Sequence, residues 1–151
     1  EEVAVAVPAV GRVHAVDVGH GQLDAKLRGD PRVVNLERTH ARDLSPKLFP
    51  AGLPDLAVVD VSFISISKAL PALLPCLARP AEILALIKPQ FELEPKLVPK
   101  GIVREEKNRQ EAIARVRAGL SGLPLRELGL IESPIKGAKG NVEYLIYWKL
   151  D

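Results

Sequence analysis

Four charged side chains stand at the ends of apolar runs in this 151-residue sequence, and their types suit acid–base chemistry. Lys88 directly follows the run EILALI, while Asp17 and Asp60 end the runs HAVD and AVVD. Glu143 stands at the start of the run EYLIYWKL. An ammonium group between two carboxylates can orient a hydroxyl group or accept its proton, provided that the fold gathers these residues in one place.

Four short apolar runs, rich in β-branched residues and bounded by Gly, Pro or Asp, predict β-strands. They are residues 12–18, 32–37, 55–61 and 82–88. The segment SISKALPALLPCLA predicts a helix with Ser65 or Ser67 as its N-cap. The segment REEKNRQEAIARVRAGLSG predicts an amphipathic helix closed by Gly122. Strands that alternate with helices predict an α/β fold whose mostly parallel sheet is covered on both sides.

The C-terminal residues predict a pair of antiparallel strands. The run NVEYLIYWKL alternates between two faces, and it follows the strand-like LRELGLIESPI and the short turn KGAKGN. This pattern predicts a hairpin that closes the sheet. In open α/β sheets ligands bind beyond the carboxyl ends of the strands, so Asp17, Asp60 and Lys88 would share one edge. The start of an antiparallel last strand would add Glu143 to that edge.

Each of these side chains, taken alone, is equally typical of a point where a strand meets water. The combination of Asp60, Lys88 and Glu143 carries more weight, because the three residues come from separate elements. The pattern by itself therefore predicts an α/β domain with a charged crevice.

The composition narrows the class of protein. A single cysteine, Cys76, excludes an internal disulfide and fits a cytoplasmic location, and His14, His20 and His40 lack metal-ligand spacing. No apolar run approaches the roughly 20 residues that a membrane span requires. The net charge of +2 is too small to indicate nucleic-acid binding, and an aromatic content of 4% argues against extensive base stacking. We expect no metal and no membrane partner.

Several segments together resemble a known family. They are HAVDVGHGQLDAKLRGDPRVVNLERTHAR, DLAVVDVSFISI, LIKPQFE, KGIVR and SPIKGAKGNVEYL, in this order. They are similar to the TlyA/hemolysin A group of FtsJ-like RNA methyltransferases, and the resemblance spans residues 12–148. It implies a Rossmann-like methyltransferase sheet, mostly parallel with an antiparallel last strand. It also implies S-adenosylmethionine as cofactor and the ribose 2′-hydroxyls of ribosomal RNA as acceptors.

The resemblance also implies roles for individual residues. Asp60, Lys88 and Glu143 match three members of the family's Lys-Asp-Lys-Glu tetrad. Lys88 would either accept the proton of the ribose hydroxyl or, staying charged, fix its orientation. The cofactor would contact Asp17, Val18, His40, Ala41, Arg42 and Asp60. Asp17 matches the acid that binds the cofactor's ribose, and His40 stands where the family usually has Asn.

Two basic segments suit an RNA partner, either ribosomal RNA or a ribosomal subunit. Lys136 and Lys139 lie among glycines near Glu143, and Lys100 and Arg104 belong to a segment that would be a mobile loop or a surface connection. Solvated turns would account for the same composition. Two alternative functions remain at this stage, namely a non-catalytic RNA- or ribosome-binding module and a membrane-lytic hemolysin.

Parts of the family pattern are not found in the sequence. They are the first strand with its turn of the type Asp-x-Gly-x-Ser-x-Gly-Gly-Phe-Thr, the first tetrad lysine and the upstream RNA-binding domain. We therefore expect residues 1–151 to be a partial methyltransferase domain with weakened cofactor binding. Residues 1–10 would form either a helix or a central strand. Without that strand, a split sheet or a homodimer through an unpaired sheet edge is expected.

Overall fold

The computed structural model describes residues 11–151, and the prediction for residues 1–10 lies outside this part. The described chain contains six strands and four α-helices, and the first four strands overlap the apolar runs from which strands were predicted. The strands are β1 (Val13–Val16), β2 (Val33–Leu36), β3 (Leu56–Val59), β4 (Ala81–Ile87), β5 (Leu125–Glu132) and β6 (Tyr144–Leu150). The helices are α1 (Ala25–Arg28), α2 (Ile66–Leu73), α3 (Pro89–Glu92) and α4 (Glu106–Leu120).

The strands pair in two groups. β1 pairs with β2 in parallel, and the second group has the order β3-β4-β6-β5. In this second group β3 and β4 are parallel, whereas β6 runs antiparallel to both β4 and β5. Three of its four strands therefore point the same way, which confirms the predicted sheet with an antiparallel last strand. The hairpin is also confirmed, with β6 inside the sheet and β5 at its edge.

Within residues 11–151, no strand joins β1 to β3. The strands of residues 11–151 thus form a split sheet, which is one of the two outcomes expected from the missing strand. A cleft of about 1260 Å³ opens at this position, and residues of both β1 and β3 line it. The homodimer through an unpaired edge stays a prediction.

One hydrophobic core unites the four-stranded sheet with α2 and α4. It includes Ile83 and Ile87 of β4, Ile146 of β6, Leu70 of α2 and Val116 of α4, all of which are essentially inaccessible to water. The opposite face of these strands is half-buried, with Leu84, Leu86, Leu145 and Tyr147 upon it. The described residues thus cover one face of the sheet more completely than the other.

Serine side chains form hydrogen bonds at the start of α2 and at the end of α4. Ser65 is the N-cap of α2, since its hydroxyl accepts a hydrogen bond from the amide of Ser67. Helix α4 ends at Leu120, its last buried residue, and its C-cap is Ser121, whose hydroxyl donates to the carbonyl of Ala118. Gly122, which was predicted to close this helix, is the next residue, and its φ is not in the left-handed region.

The end of β4 presents a charged side chain because of the residue that follows it. Lys88 is the N-cap of α3, and Pro89 occupies the first turn of that helix. A proline cannot donate to a strand partner, but it fits the first helical turn. The chain therefore leaves the sheet at Lys88.

Candidate active site

The cleft between β1 and β3 reaches the carboxyl ends of both strands. Asp17 follows β1 and Asp60 follows β3, and both side chains line the cleft. Residues 39–42, which follow β2, form a further part of its wall. The cleft thus lies where ligands bind in open α/β folds.

The structure brings Asp60 and Lys88 into direct contact. The Nζ atom of Lys88 lies 2.7 Å from Oδ1 of Asp60, and it donates a hydrogen bond to Oγ of Ser62 at 3.0 Å. Lys88 is only 6% exposed, whereas the Asp60 side chain is 36% exposed. Burial of an ammonium is tolerable only with such partners. The contact links the cleft wall to the end of β4.

Glu143 lies across the strand pair from Lys88. Ile87 and Tyr144 are the last residues paired between β4 and β6, and the same register carried one residue further places Lys88 opposite Glu143. Glu143 is 5% exposed, and its Oε1 accepts a hydrogen bond from Nε2 of Gln90 at 2.8 Å. The three predicted catalytic residues therefore gather at one edge of the sheet, from three separate elements.

The residues predicted to bind the cofactor line the cleft together. They are Asp17, Val18, His40, Ala41, Arg42 and Asp60. Oδ1 of Asp17 accepts a hydrogen bond from the amide of Gly19, and its carbonyl accepts one from the amide of Thr39. The second of these bonds joins the segment after β1 to the segment after β2. Val18, with 57% of its surface exposed, adds an apolar surface beside the acid.

The two basic turns predicted to contact RNA touch each other. Lys100 and Lys139 each have a positive φ, of 57° and 58°, and each precedes a glycine that also has a positive φ. The Nζ atom of Lys139 donates to the carbonyl of Lys100 at 2.9 Å. Part of the hydrogen-bonding capacity of Lys139 is therefore used within the protein.

Asn141 fastens these two turns. Its side chain accepts a hydrogen bond from the amide of Val103 and donates to the carbonyls of Gly101 and Ala138, and the residue is 2% exposed. Lys136 and Arg104 are exposed on either side, with Nζ of Lys136 3.8 Å from a carboxylate oxygen of Glu132. The segment around residue 100 is thus anchored to the turn that precedes Glu143.

Four residues that contact or flank the site were not predicted from the sequence. They are Ser62, Phe63, Gln90 and Gly137, and each stands within one of the motifs DVSF, KPQFE or KGAKGN. Phe63 is 90% exposed, has a φ of 63° and lies against Phe91 with ring centroids 4.8 Å apart. A bulky residue rarely adopts this backbone conformation, and such strain often marks a functional site.

Glu92 joins the segment after Lys88 to the segment after Asp60. Its carboxylate accepts hydrogen bonds from the hydroxyl of Ser65 at 2.6 Å and from the amide of Ile66 at 3.0 Å, at the start of α2. Burial raises the pKa of Glu92 above its ordinary value, although these hydrogen bonds oppose the shift. The two loops that carry Asp60 and Lys88 are thereby held to one another.

Known proteins identify the family of this chain. The sequence model of the FtsJ-like methyltransferase family matches residues 2–150, almost the whole chain. The chain belongs to the FtsJ-like methyltransferase family. The TlyA/hemolysin A resemblance is confirmed as well, because relatives with these names match most of the chain.

Among the relatives is TlyA of Mycobacterium tuberculosis, which is named a 16S/23S rRNA (cytidine-2′-O)-methyltransferase. It is 45% identical over 136 residues, which cover 89% of this chain and 50% of that protein. The chain therefore spans about half the length of the curated relatives that it matches.

Two solved structures bear on the fold. A protein described as a hemolysin from Lactococcus lactis has a TM-score of 0.90 at 42% identity, covering 93% of this chain and 68% of that chain. The N-methyltransferase NodS from Bradyrhizobium japonicum, solved with S-adenosyl-L-homocysteine, has a TM-score of 0.60 at 14% identity, over 95% of this chain and 69% of that one. The latter likeness shows the methyltransferase fold alone.

The described part of the chain contains neither a metal-binding cluster nor a membrane-spanning helix. Between residues 11 and 151, no three His, Cys, Asp or Glu side chains are grouped so that they could hold a metal ion. In the same part of the chain, no helix is both long enough and apolar enough to cross a membrane.

Proposed function

We propose that the protein containing this chain transfers a methyl group from S-adenosylmethionine to a ribose 2′-hydroxyl of ribosomal RNA. The observation that carries the proposal is the nearly buried Lys88 ammonium, paired with Asp60 beside the cleft and opposite Glu143 in the strand register. Family membership supports methyl transfer, and the name of the TlyA relative supports cytidine in ribosomal RNA as the acceptor.

The cleft residues fit the adenosine part of this cofactor. Asp17 places a carboxylate at the end of β1, where it can accept hydrogen bonds from ribose hydroxyls. The apolar surface of Val18 and the segment of His40, Ala41 and Arg42 would enclose the adenine. When bound, S-adenosylmethionine supplies a methyl group on a positively charged sulfur.

Lys88 would act on the ribose hydroxyl as a charged donor. The neighbouring Asp60 carboxylate stabilises the ammonium form, so the ammonium can hold the hydroxyl oxygen in line for attack. The proton that the hydroxyl loses on attack would pass to the carboxylate of Asp60 or Glu143. A positioned acid–base group contributes about 10²–10⁴-fold in rate, and correct orientation can add more.

The RNA would be held by the residues around this edge. Phe63 directly follows Ser62, whose hydroxyl accepts a hydrogen bond from Lys88, and its aromatic ring is exposed to solvent. A nucleotide base can stack on such a ring. The exposed cations of Lys136, Lys100 and Arg104, together with Lys139, would contact phosphates. A single exposed ring agrees with the low aromatic content of the chain.

The test uses the full-length protein and isolated ribosomal subunits that lack 2′-O-methyl groups. After incubation with S-adenosylmethionine, the ribosomal RNA is digested to nucleosides and analysed by mass spectrometry. The proposal predicts new 2′-O-methylcytidine in at least one subunit. Absence of any 2′-O-methyl nucleoside would contradict it.

A second candidate is RNA binding without chemistry. One observation favours it, because Asn141 and Lys139 fasten the two basic turns through contacts that do not involve Asp60 or Lys88. This candidate predicts salt-dependent RNA binding that survives Asp60→Ala and Lys88→Ala, with no methylation by the unmodified protein.

A further inference from the structure

The carboxylate of Glu143 is held by two neighbouring residues. Its Oε1 accepts a hydrogen bond from Nε2 of Gln90 at 2.8 Å. The backbone of Gly137 lies so close to the same oxygen that a Cβ atom at position 137 would overlap Oε1 and Cδ of Glu143. The residue is 5% exposed, so these neighbours rather than water fix its orientation.

The amide of Gln90 is held in one orientation at a cost. Its Oε1 is buried, and it has no hydrogen-bond partner among the described residues. A buried acceptor without a donor destabilises the folded state, and such groups are rare. Turning the amide over would bring Oε1 against the Glu143 carboxylate and remove the hydrogen bond. The Glu143 contact therefore explains why the amide keeps an orientation that leaves its oxygen unpaired.

The position of Gln90 links it to the other site residues. Gln90 lies in α3, two residues after Lys88 and two residues before Glu92. Glu92 fastens this short helix to the start of α2, next to the loop of Asp60 and Ser62. The same short segment thus carries the group that pairs with Asp60 and the group that orients Glu143.

We propose that Gln90 is a positioning residue that fixes the Glu143 carboxylate for methyl transfer. The inference rests on the proposed function and adds to it a residue that acts through Glu143 rather than on the substrate. Gln90 donates through Nε2, the backbone of Gly137 packs against the same oxygen, and the two contacts together hold the carboxylate in one orientation.

The experiment compares Gln90→Ala, Glu143→Gln and the double variant in the full-length protein, with ribosomal subunits and S-adenosylmethionine as substrates. Gln90→Ala should lower kcat by about tenfold or more, because Glu143 loses the contact that orients it. The KM for the subunits should stay within about threefold, because the variant keeps the RNA contacts. The double variant should be no slower than Glu143→Gln, since Gln90 has no carboxylate left to orient.

Gln110→Ala is the matched control. Nε2 of Gln110 donates to Oε1 of Glu106 at 2.8 Å, the same contact at the same distance, on the exposed face of α4. This variant should keep the kinetics of the unmodified protein. If thermal unfolding shows that Gln90→Ala does not fold, Gln90→Glu is used in its place. This variant keeps the size of the side chain and removes the amide donor.

The outcomes separate this inference from the proposed function. If the unmodified protein methylates the RNA and Gln90→Ala or Gln90→Glu does so at the same kcat, the inference alone is overturned. Losses that multiply in the double variant would also overturn it, because they would show independent roles. Absence of methylation by the unmodified protein would overturn the proposed function and this inference with it.

Discussion

Lys88 differs from an ordinary surface lysine because it is almost fully buried. An ammonium taken out of water is destabilising by several kcal/mol unless charged or polar partners compensate it. Lys88 has such partners in Asp60 and Ser62, both in the segment after β3. A protein that needed only stability at this position would gain as much from an apolar residue, so the ion pair points to a chemical role.

Gly137 gives a prediction about a single atom. Gly137→Ala would force a Cβ atom into the Glu143 carboxylate, and the side chain must move because Gly137 N is also bonded to the carbonyl of Asn141. We expect a loss of methylation rate of about tenfold or more, measured with ribosomal subunits. Gly122→Ala is the control, since a Cβ atom at that glycine would meet nothing within 4 Å. Equal rates for the two variants would show that the orientation of Glu143 is unimportant.

Phe63 gives a prediction about RNA binding. If a base stacks on its exposed ring, Phe63→Ala should weaken binding of the RNA substrate by about 1–3 kcal/mol, as for other base–aromatic stacks. The apparent KM for ribosomal subunits would report this loss. Leu128→Ala is the control, because Leu128 is an apolar residue of β5 with 45% exposure. An unchanged KM in Phe63→Ala would exclude stacking on this ring.

At the scale of elements, α3 acts as a small connector between the strands of the site. It begins directly after Lys88, contains Gln90, and ends with Glu92, whose carboxylate accepts a hydrogen bond from the amide of Ile66 at the start of α2. The carboxylate at the start of α2 also interacts favourably with the helix dipole. A helix of four residues has little stability alone, so these contacts maintain its geometry.

Glu92 gives a prediction about pH. Because its pKa is raised above the ordinary 4.5, the folded state binds more protons than the unfolded state just above that pH. Its contribution to the free energy of unfolding therefore falls as the pH rises through this window. Glu92→Gln removes the titration, so the stability of the variant relative to the unmodified chain should increase with pH. Urea denaturation between about pH 4 and about pH 7 measures this difference.

Glu94→Gln is the control for that experiment. Glu94 is exposed, and a hydrogen bond from Lys96 lowers its pKa, so its stabilising contribution is lost as the pH falls. The stability of Glu94→Gln relative to the unmodified chain should therefore change with pH in the opposite direction. A pH slope of the same sign in both variants would show that Glu92 is not the buried group described here.

The elements of this fold were largely predictable, and the contacts between loops were not. β-branched runs predicted the strands, and the common edge of parallel strands predicted that Asp60 and Lys88 would lie close together. The bond from Gln90 to Glu143 depends on the side-chain rotamers of a short helix, which no periodicity indicates. The close approach of Gly137 depends on the path of a turn, and its glycine has an ordinary negative φ that gives no special signal.

At the scale of the whole molecule, the two groups of strands differ in their support. Both faces of β4 and β6 carry buried or half-buried side chains, whereas β1 and β2 have Ala15 as their one fully buried residue. A sheet of two strands is marginally stable by itself. The pair of β1 and β2 therefore depends on packing against neighbouring segments for its stability.

Hydrogen exchange on the 151-residue chain tests this difference. Amides of β4 and β6 should exchange slowest, because they open only with the core, and amides of β1 and β2 should exchange at least about tenfold faster. Mass spectrometry of peptic fragments would distinguish the two groups. Equal protection of β1 and β4 would contradict the view that the sheet consists of two unequally supported parts.

The central claim is that Lys88, held by Asp60, serves methyl transfer to a ribose hydroxyl. The most direct measurement is the methylation rate of Lys88→Met in the full-length protein, on ribosomal subunits. Lys96→Met is the matched control, since Nζ of Lys96 forms an ion pair with Glu94 at 2.8 Å on the surface. The account predicts a loss of about 10²-fold or more in kcat for Lys88→Met and little change for Lys96→Met. A Lys88→Met protein that methylates at the unmodified rate would contradict it.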